Sequence, residues 1–265
     1  MRMPGGLVRN GERRRDFAFW SLTGSLEMAL ADAGRAATSM PRRVTAALAV
    51  SLQQLAGEVP HPSAVVELSV ADRQYLMAAL AVHLGFNQFW HSAQCVDCGV
   101  SFDFVVDYRS LPVKEAGPGY PFTEVETSHG RYRYRVPTGA DQEVLAEIAN
   151  EEEALRCMIE RCLLDASDRP EEPAAQFNKE DVAHIEAALE ATAPEMATSA
   201  QAPCPDCGAV QNIAIDSYGV LAVPMTDNLF HEIHLLASTY HWSEKEILAL
   251  PQQRRRRYLE LINRS

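Results

Sequence analysis

The chain has no uninterrupted apolar run approaching the roughly 20 residues that a membrane-spanning helix needs. Its first residues, Met1-Arg2-Met3-Pro4-Gly5-Gly6, lack the hydrophobic stretch of a secretory signal. A soluble chain made in the cytoplasm of the producing cell is expected. Positive charge is in short supply: 24 Lys and Arg stand against 36 Asp and Glu, a net charge of −12. That sign repels phosphate backbones and anionic headgroups, so neither nucleic acid nor membrane is an expected partner. A Gly-rich phosphate loop, a nucleophile elbow and a His-Glu-x-x-His pair are all missing, and nothing points to catalysis, a small-molecule substrate or an organic cofactor. Cysteine is sparse, with six in 265 residues. In a reducing compartment such thiols are metal ligands or buried small hydrophobes, not a disulfide frame.

What is present is a repeat. At 265 residues and 47% apolar content, two modest domains or one duplicated unit are expected. Ser69-Val70-Ala71-Asp72 opens an apolar helical stretch that leads to Cys95-Val96-Asp97-Cys98-Gly99. At an offset of 109, Asn178-Lys179-Glu180-Asp181 opens another that leads to Cys204-Pro205-Asp206-Cys207-Gly208. Upstream the offset is 115: Phe17 to Trp20 and Tyr132 to Arg135 alternate like strands, and each passes through Thr-Gly into a period of 3.6. A second helix follows in each half, Val44 to Leu55 and Ala154 to Leu164. The expected fold is α+β and predominantly helical, an internal duplication of short strand, helices and Cys-x-x-Cys-Gly hairpin. Its parts are a basic flexible arm over 1–15, repeat one over 16–107 and a connector over 108–130. Repeat two covers 131–216 and a helical tail 217–265.

Each Cys-x-x-Cys-Gly knuckle aims two thiolates at one point. Cys95, Cys98, Cys204 and Cys207 therefore predict one shared tetrahedral, structural Zn2+ per chain in a ribbon-like site. The 105 residues from Gly99 to Pro203 are far more than an ordinary ribbon places between its knuckles, but closure entropy grows only logarithmically with loop length. Two incomplete sites, unbound thiols, a redox pair and an iron–sulfur cluster remain as alternatives. Cys157 and Cys162 read as buried hydrophobes, His91 as a spare ligand at most, and His231 and His234 as a surface pair.

In the tail, Leu229, Ile233 and Leu236 share a helix face, and Ser243-Glu244-Lys245-Glu246 is a capping box whose short helix ends at Pro251. Phe230, His234, Tyr240, Trp242, Arg254, Arg255 and Tyr258 are candidates for partner binding. The stretches Phe230 to Ala237, Tyr240 to Pro251 and Arg254 to Glu260, with Pro137 to Glu143 and Cys204 to Gly208, resemble the baseplate hub assembly chaperone family of contractile phage tails and of phage-derived contractile injection systems. The resemblance implies a non-enzymatic structural or assembly protein that binds hub, tube or wedge subunits. Deleting the tail from Met225 is expected to spare the fold and abolish partner binding. The competing readings are a zinc-ribbon nucleic-acid-binding regulator using the two C-terminal helices and a Cys-x-x-Cys thiol oxidoreductase.

Overall fold

The computed structural model describes residues 1–164, 177–222 and 225–263. Among them helices account for 45% and strands for 27%, so helix and strand are mixed where a predominantly helical chain was expected. The elements run β1 (Arg2–Arg9), β2 (Glu12–Phe19), α1 (Gly24–Ala36), α2 (Met40–Ser51), β3 (Leu52–Leu55), α3 (Pro62–Val66), α4 (Val70–His83), β4 (Gln88–Gln94) and β5 (Ser101–Asp107). Then come β6 (Val113–Lys114), β7 (Phe122–Thr127), β8 (Gly130–Arg135), α5 (Gly139–Leu145), α6 (Glu151–Cys162), α7 (Lys179–Thr192), β9 (Glu195–Met196), β10 (Ser199–Pro203) and β11 (Val210–Ala214). A 3-10 turn over Gly219–Ala222 leads into α8 (Met225–Tyr240), α9 (Glu244–Ala249) and α10 (Gln252–Ile262). No helix of the described residues is long and apolar enough to cross a membrane.

The anticipated flexible arm is instead a β-hairpin. Strands β1 and β2 pair antiparallel and β3 adds to β2. Met3 is fully buried and Leu7 and Phe17 nearly so, which removes their apolar surface from water and ties the segment down. Its arginines serve the hairpin itself: Arg13 donates to the Gly5 and Pro4 carbonyls, and Arg15 donates to the Met3 carbonyl and pairs with Glu115 at 2.8 Å. The segment expected as one helix from Val44 to Leu55 breaks at Ser51, because Leu52 and Leu55 are buried as the strand facing Phe19 and Phe17. The connector likewise contains β7, paired with β8.

Helix starts follow the sequence closely. Thr23, Ser69, Asn150, Asn178 and Ser243 each accept a first-turn backbone N–H with their side chains. Two apolar cores result. The larger runs from Met3 through α1, α2 and α4 to Val106, Tyr108, Met196, Ile215 and Val220; the smaller gathers Val125, Tyr132, Tyr134, Ile159, Cys162, Ile185 and Leu189.

Buried charges lock remote segments together. The Asp72 carboxylate accepts from the Gly5 and Gly6 amides at 2.8 and 2.9 Å and from Ser69 Oγ at 2.8 Å. Arg73, fully buried, donates to Thr45 Oγ1 at 3.0 Å and the Pro41 carbonyl at 2.6 Å, while the Thr45 hydroxyl donates to Glu143 of α5. Gly139 lies against this guanidinium, where a Cβ would stand 2.3 Å from Arg73 Nη1. In the second half Asp141 is fully buried between Arg135 (2.5 Å) and Arg161 (2.8 Å) and accepts from the Thr138 amide. Burial pushes its carboxyl up, but the Arg135 guanidinium and the Thr138 donors prevail and hold it at about 2.

Two predictions follow from this packing. Gly139→Ala should destabilise by about 1–3 kcal/mol in denaturant unfolding, whereas Gly34→Ala, in α1 with nothing within 4 Å of the added methyl, should stabilise by about 0.5–1 kcal/mol. Because Asp141 has a depressed native pKa, its contribution is complete above the ordinary 3.8 and lost as pH falls towards 2. Acid unfolding of Asp141→Asn should therefore be less steep in that window than that of the parent; equal steepness in a pH titration followed by circular dichroism would count against the pairing.

Candidate metal centre

Two hairpins build the centre, β4–β5 and β10–β11, and their turns are the two cysteine knuckles. The turns match contact for contact at the offset of 109. The Cys95 amide donates to the Val100 carbonyl at 2.9 Å and that of Gly99 to the Cys95 carbonyl at 2.9 Å. The Cys204 amide donates to the Ala209 carbonyl at 2.8 Å and that of Gly208 to the Cys204 carbonyl at 3.0 Å. Gly99 and Gly208 hold φ of +77° and +75°, the left-handed region that a side chain resists, which explains the glycine after each pair. The hairpin bases rest on the larger core through Phe89, Phe104, Val106 and Ile215, so the tips are carried on a rigid footing.

At the tips four sulfurs converge. Cys95 Sγ lies 3.6 Å from Cys207 Sγ and Cys98 Sγ 3.6 Å from Cys204 Sγ, and all four ligand atoms lie within 4.8 Å of one another. These separations are far beyond a disulfide bond of about 2.05 Å, and all six cysteines are free thiols. They match the edge of a tetrahedron of sulfurs at about 2.3 Å from a central ion, which is about 3.8 Å. The four residues thus fit one metal ion, each hairpin giving a buried sulfur (Cys95, Cys204) and an exposed one (Cys98, Cys207).

Electrostatics shows why the arrangement suits a cation. The Cys204 thiol is drawn down to about 7, first by the Cys207 amide aimed at its sulfur and then by that of Asp206. At Cys98 the Val100 amide favours the thiolate, but desolvation and the three neighbouring sulfurs prevail and push it up to about 12. One thiol of the group ionises readily and the next resists, as expected when like charges share a site. A bound dication removes that conflict and holds the thiols deprotonated.

Gln211 completes the centre and escaped the sequence analysis. Its buried side chain reaches from β11 to the opposite knuckle, Nε2 lying 3.4 Å from Cys95 Sγ and 3.3 Å from Asp97, with Oε1 accepting from the Val96 amide at 3.1 Å. The position 109 residues earlier is Phe102, so no repeat signal marked it. No protein-family model, curated protein or solved structure matches this chain.

The remaining candidates lie apart from the sulfurs. His91 stacks on Phe104 at 5.5 Å and is no ligand of the four-sulfur cluster. Cys162 is buried in the smaller core, where burial pushes its thiol up to about 12, and Cys157 is half-buried, in keeping with small hydrophobes. In the tail, Phe230 and His234 are exposed one turn apart on α8, His231 is also exposed, and Arg254 is exposed on α10. Tyr240, Trp242 and Tyr258 form one aromatic cluster with centroids 4.8–5.6 Å apart. Arg255 departs from its expected role as a contact residue. It is 1% exposed and bound internally to Glu27 of α1 and, at 2.8 Å, to Glu232 of α8, because α10 turns that face onto the body of the protein. The tail is correspondingly no separable appendage: the Gln252 amide donates to the Leu22 carbonyl at 2.9 Å, and Leu229, Leu236 and Ile247 are buried.

Elemental analysis of carefully prepared protein should find one thiophilic metal ion per chain, and two or none would defeat shared coordination. Cys95→Ser and Cys204→Ser should each lower the melting temperature sharply and by similar amounts, Cys157→Ser only slightly. Gln211→Leu should keep the fold but weaken metal retention against a chelator by about 10- to 100-fold, as loss of an outer-shell partner does.

Proposed function

We propose that the chain is a zinc-stapled, duplicated scaffold that works by binding, as a structural or chaperone-like component of a contractile-tail or injection-system baseplate, and that it carries no enzymatic activity. The observation that carries the stapled-scaffold part of this reading is the closed set of four sulfurs at the meeting of two hairpins, and the baseplate part rests on the resemblance of the tail sequence. Four thiolates leave a tetrahedral ion no open position for water or substrate, so its contribution is to folding free energy. Zinc suits this donor set and has no redox chemistry, so it holds the hairpins without reacting. Duplication is supported by the matching knuckle contacts and by the recurring order of strand hairpin, helices and knuckle hairpin. Hub, tube or wedge subunits are the proposed partners, bound through the exposed Phe230, His234 and Arg254 and the aromatic cluster beside them, in the cytoplasm of the producing cell or within the assembled particle.

The competing readings find less support. A redox cysteine pair belongs at a helix N-terminus, where the dipole lowers its pKa, whereas both pairs here sit in β-turns. A DNA-reading helix would keep its arginines available to phosphate and base edges, whereas Arg255 is committed to two internal carboxylates and the exposed Arg257 pairs with Glu260 at 2.8 Å.

Tagged full-length chain expressed in cells assembling the contractile particle should co-purify with hub, tube or wedge proteins. The double variant Phe230→Asp, Arg254→Glu should lose them while changing stability by no more than about 0.5 kcal/mol, as expected of exposed positions. Recovery of nucleic acid with a steep salt dependence, and of no tail protein, would refute the proposal.

A further inference from the structure

The excess negative charge of the chain has one address. Residues 139–196 hold 16 Asp and Glu against 4 Lys and Arg, which is the whole net charge of −12; the other residues balance at 20 against 20. This block carries helices α5, α6 and α7. Where α7 and α6 meet α4 there is an open cleft of about 400 Å³, floored by apolar side chains that include Val70, Pro137, Met158, Leu189 and Pro194.

Its rim is acidic on one side. Glu186, Glu190 and Glu195 line it, all three exposed, and among the described residues no Lys, Arg or His is a lining side chain. Lys114 approaches Glu195 at 3.6 Å and donates to the Glu190 main-chain carbonyl at 2.8 Å, while the carboxylates of Glu186 and Glu190 have no ion-pair partner among the described residues. The positive end of α4 also opens here, but Ser69 already accepts the Asp72 amide there at 3.1 Å and Asp72 adds its own charge, so that end offers nothing to an anion.

We propose that this cleft is a docking site for a basic amphipathic segment of a partner protein, a helix that lays apolar side chains on the Val70–Met158–Leu189 floor and sets Lys or Arg against Glu186 and Glu190. Apolar anchors give such an interface its affinity, and opposite charge at the rim gives orientation and on-rate. The charge sign decides the kind of occupant. An acidic segment meets the like charge of Glu186 and Glu190, and a neutral one leaves those two carboxylates unanswered. The site lies on a different part of the molecule from the metal centre and the tail, and it stands whether or not the partner belongs to a baseplate.

The test uses the full-length, metal-loaded chain and three labelled synthetic helices: one with leucines on one face and lysines beside them, one with the same leucines and glutamates for lysines, and one with the same lysines and serines for leucines. Fluorescence anisotropy should show saturable 1:1 binding of the first alone, weakening as salt rises. Glu186→Lys, Glu190→Lys together should weaken it by at least about tenfold, and Glu151→Lys, Glu152→Lys, equally acidic but on the exposed first turn of α6 and away from the lining, should leave it nearly unchanged. Circular dichroism and melting confirm that both variants fold. Equal weakening by the two variants, equal binding of the serine helix, or binding of the glutamate helix would each overturn the proposal. So would sedimentation showing a dimer whose formation is abolished by Glu186→Lys, Glu190→Lys, since the occupant would then be a second copy of this chain.

Discussion

Four sulfurs within 4.8 Å of one another, on hairpin tips separated by 105 residues of chain from Gly99 to Pro203, are the constraint to which the rest of the structure answers. The intervening polypeptide must leave the first hairpin, build α5, α6 and α7 and a second small core, and return to place β10–β11 beside β4–β5. It does so because both hairpin bases sit on the same apolar core, through Val106 and Tyr108 on one side and Met196 and Ile215 on the other. Loop closure over such a length costs little more than over a short one, so the distance is no bar to bringing the four sulfurs together.

Buried charge joins remote segments elsewhere in the molecule. Asp72 gathers the first hairpin onto α4, Arg73 and Thr45 connect the first half to Glu143 in the second, Asp141 draws Arg135 and Arg161 together, and Arg255 fastens the tail to α1 and α8. Each of these groups would be costly to bury alone, and each finds its partner on a segment distant in sequence or on the neighbouring element. The consequence is that arm, halves and tail are interdependent. Surfaces left for partners are those the network does not use: the outer face of α8, the exposed Arg254 and Arg256 of α10 and the acidic cleft beside α7.

The four-sulfur cluster was readable because its signal is local. A Cys-x-x-Cys-Gly turn closes through its own backbone, and the glycine's positive φ is written into five consecutive residues; the second such turn then names the other two sulfurs. Helix starts were readable for the same reason, since a cap is a contact across three residues. Gln211 was not, because its value lies in reaching across to the other knuckle. The hairpin formed by residues 2–19 was hidden behind its arginines, whose heads are satisfied by carbonyls and Glu115 only once the strands pair. Leu52 and Leu55 fit a helical face and a buried edge strand equally, and only the presence of β2 beside them favours the strand.

Residue order was enough to specify the knuckles, the caps, the doubled sequence pattern and the sign of the charge, all of which arise from neighbours within a few positions or from simple counting. Which arginines face water, how the arm and tail attach, and where carboxylates line an apolar cleft depended on elements far apart in the chain coming to lie side by side. Burial and ion pairing are properties of that juxtaposition, so the same four consecutive arginines yield one internal clamp, at Arg255, and three exposed neighbours.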